Sequence, residues 1–504
     1  MSDSPYQTLC HAVADASLLG ATSSILSWDQ ETQMPQQGVE LRSRQMAQLA
    51  RLAHQMGSRP EIGHALQRAI ESPEVAGDPA KAANVREMRR DFDRRTKLPA
   101  RLVEELARVS SSAQHEWAAA RKDSDFKRFL PFLDRLVELN REQADCLGVP
   151  EGGERWDALA ELYEPGCRAA QVSAVFAPLR TRLVSLIDRI KGATKGPSDR
   201  FNQEPFSIDR QREFMRWTAE RIGFDFSRGR LDQSTHPFCG GSHCRDVRMT
   251  TRYKETCLND ALGSTMHEAG HGMYEQGLPF EHVGTPLGEA VSLGIHESQS
   301  RLWENQVGRS AAFWQWLTPQ LPAMLGESAS RYSAEELYGA ANIVEPGFIR
   351  VEADEATYNL HIMVRFELER ALIGGSLDPK DLPGAWNEKY KEYLGLTVPE
   401  DRVGCLQDVH WSMGAFGYFP TYTLGTLYAA QFFDTACRSS PGLGDGFRRG
   451  EFAPLRHWLN ANIHVHGRRF LPGDLCERVT GGPLSAEHFL TYLEGKLLPL
   501  YGLA

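Results

Sequence analysis

Apolar residues recur at helical spacing along almost the whole chain, and only one short stretch departs from that period. In RLVEELARVSSSAQHEWAAARK at 101–122, Leu102, Leu106 and Val109 fall at i, i+4 and i+7, so they share one helix face. Up to about residue 200 the chain stays charged and Ala/Leu/Arg-rich, which predicts a stack of long helices. Breaks are expected at Met34-Pro35, Gly77-Asp78-Pro79, Lys97-Leu98-Pro99, Val149-Pro150 with Gly152-Gly153, and from Gly192 to Asp199. Proline there removes a helix donor and glycine favours turns. Between roughly 230 and 255, Gly240-Gly241 followed by the β-branched and aromatic residues of DVRMTTRY predicts a short sheet. Helical periodicity then resumes, with turns near 277–288, 345–347, 373–384 and 417–420. The chain reads as mainly α with one small β-sheet, a single unit over 1–504 with approximate lobes at 1–200 and 201–504.

A chain of 504 residues buries a full core without disulfide or metal staples. Its 66 acidic residues outnumber 56 basic ones to give a formal charge of −10, and no Lys/Arg block tracks a phosphate backbone. Nucleic acid is therefore not an expected partner. No uninterrupted run of eighteen apolar residues is present, and MSDSPYQTLCHAVADASL lacks the charged and apolar regions of a signal peptide. The expectation is a soluble, cytoplasmic protein with no membrane partner. The nine cysteines, scattered from Cys10 to Cys476 without a CxxC pair, suit reduced thiols. Cys239 and Cys244 lie close in sequence but lack the two further ligands of a structural zinc site.

The segment TMHEAGHGMYEQG carries the chemistry. His267 and His271 are four apart, so on a helix both imidazoles project from one face, with Glu268 alongside. Such a pair can hold zinc, which lowers the pKa of a bound water while the neighbouring carboxylate takes its proton. A catalytic zinc needs a third protein ligand, and the continuation GMYEQGLPFEH offers no HxxGxxH. The favoured candidate is Glu297 in LGEAVSLGIHESQS, on a helix expected to begin after the Gly284–Pro286 turn and to fold back against the first. Ser298 and Gln299 are its expected supports. Glu289, expected two turns earlier on the same helix, is the alternative ligand.

Five short motifs in order are similar to those of the carboxypeptidase Taq family of thermostable metallocarboxypeptidases. They are DVRMT at 246–250, HEAGH at 267–271, HESQ at 296–299, IRVEAD at 349–354 and GCLQDVHW at 404–411, with WDQETQMPQQG at 28–38 extending the likeness upstream. The resemblance implies one zinc per subunit on His267, His271 and Glu297, with Glu268 as general base and cobalt or manganese as substitute ions. It further implies a large neurolysin-like helical fold with a long active-site groove, a homodimer, and broad release of C-terminal residues from peptides.

A carboxypeptidase must read a free carboxylate, and Arg350 in GFIRVEADE is the expected bidentate donor, unless it is spent on Glu352, Asp354 or Glu355. Arg248 in DVRMT is expected to hold the sheet in place. Charge developing on the scissile carbonyl requires a donor. By resemblance to helical zincins, His410 and Tyr422 fill that role, with Tyr418 the alternative and a core role open for either tyrosine. His236, just before the β element, is a candidate substrate contact or else a turn histidine, and Asp354 is a candidate to orient a zinc-ligand histidine. An oligoendopeptidase using the same metal chemistry, or a helical scaffold with a non-catalytic zinc site, are the competing readings.

Overall fold

The computed structural model describes residues 3–503. Helix makes up 71 % of the chain, so burial comes mainly from helix packing. Among the described residues there is one sheet, of three short strands. The chain divides into two compact units that interleave in sequence, in place of contiguous lobes divided near residue 200. The first comprises Met1–Thr96, Ser198–Ala341 and Tyr428–Pro483, and the second Lys97–Pro197, Asn342–Leu427 and Leu484–Ala504. Long-range ion pairs cross between the segments of the first unit. Arg468 reaches Asp91 at 2.7 Å and Glu87 at 3.2 Å, tying the last segment to the first.

In the first unit, helix α1 (Pro5–Thr32) starts from a capping box. Ser4 Oγ accepts from the Gln7 backbone N–H and Gln7 Oε1 accepts from Ser4 N–H, while Pro5 sets the first helical φ. It ends just before Met34-Pro35, as expected. Helix α2 (Val39–Gly57) and helix α3 (Pro60–Ile70) follow. Ile62, Ala65, Leu66 and Ala69 form one apolar face of α3 and pack with Leu9, Val75, Val85 and Met88. An 18-residue window of α1 reaches a mean hydropathy of 1.3, long and apolar enough to cross a membrane by length and composition alone. Its apolar residues form no uninterrupted run, because His11, Asp15 and several Ser and Thr residues fall among the Ala and Leu. Here α1 packs against α2, α3 and the sheet.

The sheet has order β1-β3-β2, with β1 (Gly229–Gln233) parallel and β2 (Cys239–His243) antiparallel to β3 (Asp246–Thr251). Gly241 has φ +144° at a bulge, and a Cβ there would lie 2.1 Å from the Asp246 carbonyl oxygen, so only glycine closes this hairpin. Trp28 near the end of α1 is nearly buried, with the guanidinium groups of Arg230 and Arg248 at 4.5 and 4.8 Å from its ring centre. Arg248 is thereby structural, fastening the sheet to α1.

Behind the sheet runs the motif helix (Leu258–Gly277), followed after two short turns by the ligand helix (Leu293–Arg301). Gly270 makes their contact close. A Cβ there would lie 2.5 Å from the Gln299 carbonyl oxygen and 2.7 Å from Ser300 Cα. The ligand helix is capped by Ser292, whose Oγ accepts from Ile295 N–H, and it continues into a π-helical turn over Leu302–Val307.

In the second unit, the helices Ala100–Asp123 and Phe126–Leu147 form an antiparallel hairpin. The buried helix Tyr358–Gly374 carries Glu369, which accepts from Trp156 Nε1 at 3.2 Å, Trp411 Nε1 at 2.9 Å and Gly417 N–H at 3.1 Å. Three donors satisfy a buried carboxyl and lock the segment carrying the GCLQDVHW motif onto this helix.

Candidate active site

On the motif helix, His267 and His271 project together towards Glu297 of the ligand helix. Glu297 Oε2 lies 3.5 Å from His267 Nε2 and 3.4 Å from His271 Nε2, and the three ligand atoms fall within 4.8 Å of one another. A tetrahedral ion with bonds of about 2.1 Å has edges of about 3.4 Å, so this donor set fits zinc or a similar divalent cation. Nitrogen, nitrogen and carboxylate leave one tetrahedral position for water.

The supports differ from those expected at Ser298 and Gln299. Ser298 Oγ turns back to the Ile295 carbonyl, and Gln299 Oε1 pairs with His464 Nε2. Glu297 is held instead by Arg301 Nε at 2.7 Å and Ser300 Oγ at 3.1 Å. His267 Nδ1 meets Glu304 Oε2 at 2.9 Å, and Glu304 is flanked by Arg301 and Arg309, each at 3.2 Å. His271 Nδ1 faces His296 Nδ1, and His296 Nε2 lies 2.8 Å from Glu275 Oε1. Glu289 is not on the ligand helix. It precedes the Ser292 cap, is half exposed, and pairs with Arg468 at 3.0 Å.

These contacts set the charges. Burial raises the Glu297 carboxyl, but Arg301 and the two ligand histidines outweigh it and hold the group well below the usual carboxylate range. Burial, reinforced by the neighbouring His296, lowers His271 to about 3, so its imidazole is neutral and able to ligate. For His267, burial is outweighed by Glu297 and Glu304, which raise it. Glu268 is buried beside the cluster and is raised to about 7, by burial first and then by Glu297 against the opposing pull of His267. A carboxyl poised there takes and returns a proton near neutrality.

The second unit gathers a different set. Arg350 is buried and pairs with Asp408, not with Glu352, Asp354 or Glu355. Its Nε and Nη2 reach Asp408 Oδ1 at 2.9 and 2.8 Å, and Nη1 donates to the Tyr358 hydroxyl at 3.0 Å. Its guanidinium lies 5.0 Å from the Tyr422 ring centre. Arg365 takes the other Asp408 oxygen at 2.6 Å, so one carboxylate joins IRVEAD to GCLQDVHW. Although burial opposes it, the two arginines hold Asp408 well below the carboxylate range. His410 Nε2 lies 3.3 Å from the Tyr422 hydroxyl, and its ring packs 4.5 Å from Phe419 and 5.1 Å from Tyr418. Burial first, then Arg350 and Arg365, lower His410 to about 4 and keep it neutral.

Asp354 is committed elsewhere, and His236 lies on a turn. Asp354 accepts from Glu345, Ala356 and Thr357 N–H groups and from the Thr357 hydroxyl, so it caps the turn before its own helix; Glu304 is the carboxylate on a ligand histidine. His236 is an exposed residue of the β1–β2 turn, with its carbonyl accepting from Ser234 Oγ at 2.6 Å. Sequence reasoning did not single out Glu304, His296, Glu275 or Asp408 for these roles. A signal existed for Glu275, which continues the four-residue spacing of His267 and His271.

A helical body in which an HExxH helix meets a glutamate from the next helix defines a metallopeptidase. A model of the family described as carboxypeptidase Taq (M32) metallopeptidase matches residues 8–497. The chain is 47 % identical over 508 residues to thermostable carboxypeptidase 1 of Thermus thermophilus, covering 99 % of each. It is 35 % identical over 482 residues to carboxypeptidase 1 of Bacillus subtilis, covering 95 % of each. Among solved structures, the M32 carboxypeptidase of Deinococcus radiodurans R1 superposes with a TM-score of 0.96 at 41 % identity, covering 99 % of this chain and 100 % of that one. The carboxypeptidase of Pyrococcus furiosus does so with a TM-score of 0.95 at 35 % identity, covering 98 % and 99 %. The chain belongs to the carboxypeptidase Taq (M32) metallopeptidase family, and it is a metallocarboxypeptidase that releases C-terminal amino acids from peptides.

Proposed function

We propose that the metal is zinc, one ion per subunit, held by His267, His271 and Glu297, with cobalt or manganese able to replace it. The observation that carries this is the meeting of two imidazole nitrogens on one carboxylate oxygen at 3.4–3.5 Å beside a buried glutamate. When bound, zinc supplies Lewis acidity, lowering the pKa of a water and polarising the scissile carbonyl. Glu268 takes the proton from that water and returns it to the leaving amine. His410 and Tyr422, or Tyr418 in its place, donate to the carbonyl oxygen as negative charge builds there. Arg350 reads the substrate's terminal carboxylate. Three of its five N–H donors are used by Asp408 and Tyr358, and the remaining two have no partner among the described residues, which is the number a bidentate carboxylate takes. His236 on the β1–β2 turn is a substrate contact.

The working protein is a homodimer of the cytoplasm whose partners are peptides, without nucleic acid or membrane. The formal charge of −10 speaks against a nucleic-acid partner and nine free cysteines suit a reducing compartment, while the homodimer is carried over from the family resemblance. The test is to incubate the purified protein, with and without a chelator, with a peptide acid and the matching C-terminal amide, following products by mass spectrometry. Stepwise, chelator-sensitive shortening of the acid alone is expected. Internal cleavage of both would overturn the exopeptidase reading. Restoration by zinc after chelation identifies the ion, and light scattering reads the dimer.

A further inference from the structure

The two ligand imidazoles are supported from behind in chemically different ways. His267 leans on a carboxylate, Glu304, clamped between two arginines. His271 leans on another imidazole. Its Nδ1 meets Nδ1 of His296, and the far nitrogen of His296 meets Glu275 Oε1 at 2.8 Å. Only one of two facing Nδ1 atoms can carry the hydrogen. His271 turns Nε2 towards Glu297 Oε2 at 3.4 Å, where its lone pair must be to ligate, so the hydrogen sits on His271 Nδ1. His296 then accepts at Nδ1 and donates its Nε2–H to Glu275.

We propose that His296 and Glu275 form a positioning relay that fixes the tautomer and ring orientation of His271 and thereby sets how tightly the metal is held. The proposal rests on the reading of His267, His271 and Glu297 as the metal ligands. Its geometry follows from helix spacing. His267, His271 and Glu275 lie four apart along one stripe of the motif helix, and His296 and Glu297 are neighbours on the ligand helix, so each helix supplies ligand and support together. The His296 ring is braced by Tyr274 at 5.2 Å, whose own hydroxyl is fixed by Val291 N–H at 3.1 Å. His296 and Glu275 also line a cavity of about 730 Å³ in the first unit, with Cys239 and Gly240. A change at Glu275 therefore opens onto existing space and leaves no buried void.

The experiment measures zinc affinity of the full-length protein by competition with a chromogenic chelator, with thermal unfolding of the metal-free protein alongside. His296→Phe keeps the ring and removes the acceptor, and is expected to weaken zinc binding by about 10- to 100-fold. His296→Asn places an amide oxygen where Nδ1 was and is expected to recover most of that loss. Glu275→Gln is expected to weaken binding by a smaller factor in the same direction. Wild-type affinity in His296→Phe overturns the relay, as does Asn binding no better than Phe, since ring packing and not the acceptor would then be responsible. If His296→Phe does not fold, Glu275→Gln decides, and unchanged affinity there overturns the relay. Failure of the wild-type protein to bind zinc would strike the ligand reading itself and is distinguishable from these outcomes.

Discussion

Replacing Gly270 with alanine separates two effects that usually travel together. On an isolated helix the change stabilises by up to about 1 kcal/mol. Here the new methyl would meet the Gln299 carbonyl oxygen at 2.5 Å and Ser300 Cα at 2.7 Å, both backbone atoms that no rotamer can clear. Restoring an ordinary 3.4 Å contact requires the ligand helix to retreat by about 0.9 Å. Overpacking of this kind costs about 1–3 kcal/mol, so after the helix gain the net effect is a loss of up to about 2 kcal/mol. The same retreat draws Glu297 away from both histidines, beyond the edge of about 3.4 Å that a tetrahedral ion requires, and zinc affinity should fall at least tenfold, on the order of 1.4 kcal/mol. Thermal unfolding of the metal-free protein and chelator competition read the two effects separately. Gly263 on the same helix is the control, because a Cβ there meets nothing within 4 Å. Gly263→Ala should therefore stabilise by about 0.5–1 kcal/mol with affinity unchanged. A Gly270→Ala protein as stable as Gly263→Ala, with wild-type affinity, refutes the close-approach argument.

Asp408→Asn leaves Arg350 and Arg365 buried beside a neutral amide. It should cost about 3–5 kcal/mol in unfolding free energy, read by denaturant titration. Arg350→Ala should lower kcat/KM for a peptide acid far more than any residual turnover of its amide, and equal losses would remove Arg350 from carboxylate recognition. His410 has its pKa lowered from 6.5 to about 4, so the unfolded chain binds its proton at higher pH than the folded one. Its contribution to stability is present above pH 6.5 and is lost as pH falls towards 4. His410→Gln should flatten that part of the stability-versus-pH curve relative to wild type, as followed by denaturant midpoints. Leu66→Ala, in the cluster joining α1 and α3, should cost about 2–5 kcal/mol.

The HExxH pair was legible because i, i+4 spacing on a helix fixes which side chains converge whatever the rest of the fold does. Glu297 was legible too, since a short connection returns the next helix to the first. Its supports were not, because Ser298 and Gln299 point away from the cluster while Ser300 and Arg301 point in, and rotation about the helix axis is set by packing at Gly270. Asp354 misled because an acid within a motif looks like a ligand support, whereas its neighbours' backbone donors claim it first. The ion partner of Arg350 was not legible, since Asp408 is 58 residues away and no local pattern joins them. The interleaving of the two units was invisible for the same reason, since it joins distant segments, as the Arg468–Asp91 pair does across 377 residues. The small sheet beside the motif helix was read from glycine and β-branched chemistry, and helical periodicity gave the rest.

That Arg468–Asp91 pair has a consequence for how the chain is made. The metal cluster lies between residues 267 and 304, yet the unit that houses it is not complete until residue 483 has joined its first 96 residues. On a ribosome adding about 5–20 residues per second, the N-terminal helices wait tens of seconds for their last partners. During that interval Glu87 and Asp91 lack Arg468, the cation they pair with in the finished unit. Assembly of the first unit is thus a late, long-range event, slow by topology and a point at which a nascent chain gains from a chaperone. Zinc added during synthesis should shorten that interval little, because the step that limits it joins segments far from the ligands.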